Sequence, residues 1–535
     1  MTDNNQSDVP VVQEIERYEA PKSTTAAAQA GDCETIDAEE PRTPLPKFQL
    51  FIVLLIQFSE PITAVVIYPF VNQFVRDTGI TGGDDRKTGY YAGVIESAFF
   101  FAEAATVFLW GWLSDRFGRR PILLLGPFGL TFAMLRFGYS TSFWPMVLSR
   151  CFQGVFNGNI GVSKTVMVEL SDSSNIGDAF SMMPLMWSAG VTLGPIMGGV
   201  LSNPATRWPN VFGKIAVFVQ HPYFLPCLVA GIISFFTFVI GFVGLKETLS
   251  SRIPSDNSTR DEERRRDSTD ALLDHNDTPD YGTTATSSST RAPSPSSSAT
   301  LDSPQKPTDA NTWESTSLST ILKSSRMQLI IANYTFLMFT DMCYVVLMPL
   351  MYSTSIETGG LGLDPYQIGM IMGVWGFCNA FVQINLVGKA IRRYGGASVY
   401  KVAYACYLIS LLTFPMSSYF AQKNGGVGFG SGVMIALQLI FQFFAYMGYA
   451  SIQVVIADAA PKSLLGSING LVQMSGCIMR TIAPTFASSL FSMSIEDGIL
   501  GGYMVYVVIY AILLVGIACS TRLMDQRSRQ ASRSA

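Results

Sequence analysis

The chain has 535 residues, 48% of them hydrophobic and only 14% charged, where a soluble domain averages about 25% charged. A net charge of −4 without a basic stripe argues against a nucleic-acid partner. With two histidines (His221 and His275), eight cysteines and no Cys-x-x-Cys pair, neither a metal centre nor a disulfide framework is expected, and no cofactor is implied.

The apolar residues fall in blocks near the roughly twenty residues that cross a bilayer as helix. Residues 1–46 are polar and acid-rich, unlike a secretory signal, so they read as a disordered tail and the first block serves as its own insertion signal. The first half predicts helices over 48–70, 89–112, 121–140, 144–168, 177–201 and 222–245. From Ser250 to about Ser325 the chain is rich in Ser, Thr, Asp, Pro and Arg and cannot bury enough apolar surface to fold. Its Arg264-Arg265-Arg266-Asp267-Ser268 string reads as a solvated charge run or as a kinase site. The second half predicts helices over 328–351, 366–388, 398–418, 430–457, 465–490 and 500–521. The expected organisation is therefore an all-α membrane protein of about twelve transmembrane helices: a tail 1–46, a six-helix bundle 47–249, a disordered loop 250–326, a second six-helix bundle 327–521 and a tail 522–535.

Lys and Arg at the helix ends set the orientation. Arg116, Arg119 and Arg120 after helix two, Lys389, Arg392 and Arg393 after helix eight, and Arg522, Arg527 and Arg529 after helix twelve fall on one side, which is expected to be cytoplasmic together with both termini and the loop. Arg76, Arg86 and Lys87 after helix one dilute this bias, but Asp77, Asp84 and Asp85 accompany them.

The halves also repeat each other. Phe58-Ser59-Glu60 in helix one recurs as Phe339-Thr340-Asp341 in helix seven, and Gly111 to Gly118 after helix two as Gly388 to Gly395 after helix eight. One constant offset carries Phe152-Gln153 to Phe441-Gln442, Glu169 to Asp458, Gly177 to Gly466 and Pro195 to Pro484. Two related bundles of this kind place a small-molecule site between them near the bilayer midplane, reached alternately from each side.

Gly111-Trp112-Leu113-Ser114-Asp115-Arg116-Phe117-Gly118-Arg119-Arg120 resembles the G-x-L-x-D-R-x-G-R-R/K loop of the major facilitator superfamily, at the position between helices two and three where that family carries it. Arg150-Cys151-Phe152-Gln153-Gly154 is similar to the family's R-x-x-Q-G motif, and Lys246-Glu247-Thr248 to its E-T/S ending after helix six. The stretch with Gly190, Gly194, Pro195, Gly198 and Gly199 is similar to the helix-five motif of the family's drug:proton antiporters. Within the family, Phe156 to Lys164 and Glu169 look most like fungal relatives of the zinc-induced-facilitator group, although the plant members' cysteine and histidine signatures are missing, which argues against zinc as a direct substrate. The resemblance implies a secondary transporter, not an enzyme: proton-coupled by antiport, monomeric, in the plasma or vacuolar membrane. An uncoupled facilitator or a transporter-like nutrient sensor is the alternative. It also implies that Asp115, with Gly111, Arg116, Gly118, Arg119 and Arg120, forms a gate latching onto the start of helix eleven near Ser463 to Ser467.

An ionisable side chain at membrane depth costs about 2.5–3.5 kcal/mol on insertion scales, so each needs a partner or a wet cavity. Glu60 and Asp341, at repeat-related places, are the leading candidates for proton carriage or for contact with a cationic substrate; a fixed ion pair is the plainer alternative. Glu103 is expected to face the same cavity, and Glu96 to lie nearer the outer surface. Arg480 can hold an anionic substrate or neutralise Glu60 or Asp341. Arg150 matches a coupling position but also suits snorkelling, and Lys164 is expected to pair with Glu169. Asn157, Gln153, Gln383, Asn385, Gln442 and Gln473 can line a path or join helices, and Tyr68, Trp187, Trp375 and Tyr446 can form an aromatic pocket or simply pack.

Overall fold

The computed structural model describes residues 46–171, 175, 179, 182–249, 323–460 and 465–534. The expected N-terminal tail, most of the central loop, Gly177 and Ser463 lie outside them. All described regular structure is helical, and ten of the helices are long and apolar enough to cross a membrane. Helices two (Thr88–Phe117), three (Arg119–Gly138), five (Met183–Leu201), six (Phe224–Gly244), seven (Ser325–Ser353), nine (Gly396–Asn424), ten (Phe429–Ala459), eleven (Leu465–Glu496) and twelve (Met504–Ser534) follow the expected order. Several run longer than expected. Helix twelve continues well past residue 521, where the sequence had suggested a tail. Three short helices between helices five and six (Pro204–Arg207, Pro209–Phe212 and Ala216–Gln220) had no sequence signal long enough to be seen.

Three spanning elements are irregular, each for a local reason. Helix one runs Lys47–Val65, passes through a turn before Pro69, and resumes as Val71–Asp77. Proline disfavours helical geometry in the residue before it. Helix four breaks at Asn157-Gly158-Asn159 into Phe143–Asn157 and Ile160–Glu169. Neither piece alone could cross a bilayer, because the break falls among residues of low helix propensity. Helix eight starts with Asp364 accepting from the Gln367 N–H at 2.9 Å while the Gln367 side chain accepts from the Asp364 N–H at 3.2 Å, with Pro365 in the first turn. It loosens into a π-helical turn at Gln383–Val387 before ending at Tyr394. Such turns often mark functional positions.

Helices one to six and seven to twelve form two bundles that meet along two seams, helix two against helix eleven and helix five against helix eight. Under the internal repeat, helix two corresponds to helix eight and helix five to helix eleven, so the seams are exchange mates. Both close at the ends away from the Gly111–Arg120 loop. There, the Ser97 hydroxyl lies 2.7 Å from that of Thr485, Arg76 donates to the Ser353 carbonyl at 3.0 Å, Lys87 lies 3.7 Å from Glu496, and Arg207 lies 4.0 Å from Asp364 with its guanidinium 4.2 Å from the Tyr366 ring centre. Helices five and eight approach most closely where Gly199 faces Gly369: a Cβ on Gly199 would stand 2.9 Å from the Gly369 Cα. On the loop side, a Cβ added at Gly111 or at Gly470 would meet nothing within 4 Å. Among the described residues, the molecule is thus shut on one side and parted at these glycines on the other.

Candidate functional site

Between the bundles lies a cavity of about 440 Å³ to which helices one, two, five, seven, eight, ten and eleven contribute. Its walls are mostly apolar and aromatic, and the four aromatic candidates Tyr68, Trp187, Trp375 and Tyr446 all line it. The Trp375 ring stacks on Phe443 and meets Tyr446 edge-on with ring centres 5.7 Å apart, and Tyr446 leans on Tyr449 at 5.1 Å. Trp187 lines the cavity from helix five, opposite Tyr446 on helix ten.

Four of the six ionisable candidates converge on this cavity: Glu60, Glu103, Asp341 and Arg480. Glu60 is buried and accepts from the Asn157 amide at 3.0 Å. Glu103 lies beside this pair, near enough for its charge to act on Glu60. The helix-four break makes the Asn157 contact possible, because it ends the helical run at Asn157, where the side chain meets helix one. Lys164, on the second piece of helix four, lies within electrostatic range of both acids.

Asp341 is held differently. Its two oxygens accept from the hydroxyls of Tyr407 and Tyr449, each at 2.6 Å, and the side chain is buried. Sequence reasoning missed both tyrosines. Tyr449 had a signal, since Tyr446 and Tyr449 are three apart and share a helix face; Tyr407, on helix nine, had none. Arg480 lies within electrostatic range of Glu60, Glu103 and Asp341 without making a direct ion pair to any of them. Its guanidinium touches the Met338 sulfur at 3.9 Å, and no carboxylate comes within ion-pair distance of it among the described residues.

Three expectations for the other ionisable groups need correction. Glu96 is not a peripheral residue: it is 5% exposed, accepts from the Tyr68 hydroxyl at 2.8 Å and pairs with Arg150 at 2.6 Å. Arg150 does not snorkel. It is fully buried, donates to Gln153 at 2.6 Å and lies with its guanidinium carbon 4.6 Å from the centre of the Phe99 ring. Nor does Lys164 pair with Glu169. That carboxylate instead accepts from Arg119 at 3.0 Å and from the Thr248 hydroxyl at 2.5 Å.

On the parted side, Arg119 donates to Asp115 at 2.6 Å and to Ser114 at 2.7 Å, and the Asp115 side chain is 67% exposed. Arg116 lies over Trp112. A carboxylate does meet a helix N-terminus here, but it is Glu247, not Asp115, and the helix is three: its oxygens accept from the backbone N–H of Arg119 at 2.8 Å and of Arg120 at 3.1 Å. Gly118 permits this approach, with a φ of +105° and no side chain to displace Glu247. Residues 461–464, part of the expected partner of Asp115, lie outside the described residues.

The helix-five motif is a packing surface. Gly190 and Gly194 face helix one so closely that a Cβ on either would come within 2.5 Å of Pro61 or Val65, and Gly198 abuts Val66. Gly199 and Pro195 face helix eight. Among the other polar candidates, Gln383 and Gln442 line the cavity, Gln473 accepts from Tyr334, and Asn385 donates to its own helix at Phe381. No cluster of His, Cys, Asp and Glu among the described residues has the arrangement of a metal site.

Known proteins share this architecture. The chain is 32% identical over 506 residues to the major facilitator-type transporter psiT2 of Psilocybe cyanescens, covering 92% of this chain and 93% of that protein. It is 26% identical to protein ZINC INDUCED FACILITATOR-LIKE 1 of Arabidopsis thaliana, over 91% of this chain and 93% of that one. The crystal structure of a D-xylose-proton symporter superposes with a TM-score of 0.62 at 12% identity, covering 90% of this chain and 97% of the symporter, which is a likeness of fold. The sequence model of the Major Facilitator Superfamily matches residues 53–484, and the chain belongs to that family of membrane transporters.

Proposed function

We propose that the protein is a proton-coupled secondary transporter of an organic small molecule, working as an antiporter by alternating access, with Glu60 and Glu103 as the proton site. The observation that carries this reading is the pair of neighbouring acids lining the central cavity, Glu60 held by Asn157 and Glu103 beside it. Two carboxylates that close in a poorly hydrated place cannot both ionise cheaply. A cavity that exchanges its opening from one side to the other changes their hydration, and so lets a proton load on one side and leave on the other.

In this reading the bundles 47–249 and 327–521 rock against each other, and 250–326 links them. The arginine-rich loop side, where both termini emerge, faces the cytoplasm, and the described state is open to it. Asp115, exposed here, takes up its helix-eleven contact when that side shuts. Export from the cytosol across the plasma or vacuolar membrane by a monomer fits this arrangement.

The test is substrate-screened flux in proteoliposomes with and without an imposed pH gradient, comparing wild type with Glu60→Gln and Glu103→Gln. Gradient-driven accumulation is expected in wild type and should be lost in the variants while exchange at equal pH persists. Saturable flux indifferent to the gradient in the wild type would replace this reading with an uncoupled facilitator, and binding without flux would replace it with a sensor.

A further inference from the structure

The cavity holds four ionisable groups, and they are not equally engaged. Glu60 accepts from Asn157 with Glu103 close by, and both oxygens of Asp341 are taken by tyrosine hydroxyls. Arg480 stands within electrostatic range of these acids, but among the described residues its guanidinium is matched by no carboxylate and touches only the Met338 sulfur. A guanidinium carries five N–H donors in a planar fork that matches a carboxylate or phosphate, and leaving them unmatched inside an apolar cavity is costly. A second unmatched donor stands on the same wall: the indole Nε1 of Trp375 is buried with no partner. The two are joined by a continuous aromatic run, since Trp375 meets Tyr446, Tyr446 meets Tyr449, and the Tyr449 hydroxyl reaches Asp341 on the helix packed against that of Arg480.

We propose that Arg480 and the Trp375 N–H are the recognition groups for a substrate bearing an anionic group, carboxylate, sulfonate or phosphate, on an aromatic or otherwise flat apolar body. The anionic group takes the Arg480 fork, the body lies against Trp375, Tyr446 and Trp187, and an acceptor on it meets the indole N–H. The acids of the proton site stay out of direct substrate recognition. This rests on the transporter reading of the cavity but not on its proton coupling.

Equilibrium dialysis of the detergent-purified full chain at one fixed pH tests it with two probes of equal ring size, 1-naphthoate and 1-naphthylmethylammonium. The acid is expected to bind saturably and more tightly than the amine. Arg480→Gln should weaken acid binding ~10- to 100-fold, the range of a lost charge-assisted hydrogen bond, and leave the amine unchanged. Trp375→Phe keeps the ring and removes the N–H, and should weaken acid binding several-fold. Arg480→Lys, which keeps the charge without the fork, should fall between wild type and Arg480→Gln and guards against a variant that merely fails to fold. Equal or tighter binding of the amine, no saturable binding of the acid, or acid binding unchanged in Arg480→Gln would each overturn the proposal. The dialysis uses no pH gradient, so failure of the coupling reading would show in gradient-driven flux and not in this assay.

Discussion

The Glu96–Arg150 pair invites the sharpest energetic test. Arg150 is fully buried, and Glu96 is its one carboxylate at 2.6 Å. Changing Glu96 to Gln leaves an unpaired cation where water cannot reach it, and breaking a buried pair this way costs about 3–5 kcal/mol. Arg150→Met should cost a similar amount, because it strands the Glu96 carboxylate with only the Tyr68 hydroxyl at 2.8 Å. Replacing both removes both buried charges, and double replacements of that kind are often neutral or better, within a few kcal/mol. The four proteins therefore form a cycle whose coupling energy should exceed ~2 kcal/mol, read from reversible unfolding in mixed detergent and SDS micelles. Should the single losses simply add in the double variant, within about 0.5 kcal/mol, the two side chains do not meet as described.

Three further outcomes follow from the seams and the motif side. Arg207→Ala removes an ion pair that is partly exposed on both sides and a contact with the Tyr366 ring, together worth about 1 kcal/mol after solvent screening. Spin-label distances across the shut ends should show a several-fold rise in the open population, and an unchanged distribution would remove Arg207 from the closure. Gly369→Leu drives a side chain into the Pro195 carbonyl and Gly199, an overpacking of about 1–3 kcal/mol, so the seam should part and flux should fall tenfold or more. Wild-type flux would mean that the contact opens without strain. Glu247→Ala uncaps helix three at Arg119 and Arg120 and should lower stability by about 1–2 kcal/mol in the same micelle titration, whereas no change would show that water replaces the carboxylate.

The helical passes were legible because apolar runs and turn residues mark them, and Glu60, Glu103, Asp341 and Arg480 were legible as cavity groups because a charge inside an apolar run needs a reason to be there. Their partners were harder to find. Tyr407 reaches Asp341 from 66 positions away, and no spacing rule connects residues on different helices. Glu96 was ranked too low because its place along the helix was taken as depth, while Tyr68 and Arg150 from other elements enclose it. The Lys164–Glu169 pairing failed on geometry: residues five apart on a helix point about 140° from each other, unlike those three or four apart. The break in helix four was written in Asn157-Gly158-Asn159, yet a hydropathy scan reads across three residues without noticing them. The glycines of the helix-five motif pack closely against helices one and eight, a role that glycine spacing alone supports as well as any other.

The seam at Gly199 and Gly369 bears on leakage. A barrier made of long side chains opens and closes in fragments as rotamers change, and each gap admits a water or an ion. Here the shut end is closed at Gly199 and Gly369 by main chain against main chain, which has no rotamers to change and yields only when whole helices separate. A carrier sealed in this way can hold a steep difference in concentration across the membrane while its cavity fills and empties on the other side.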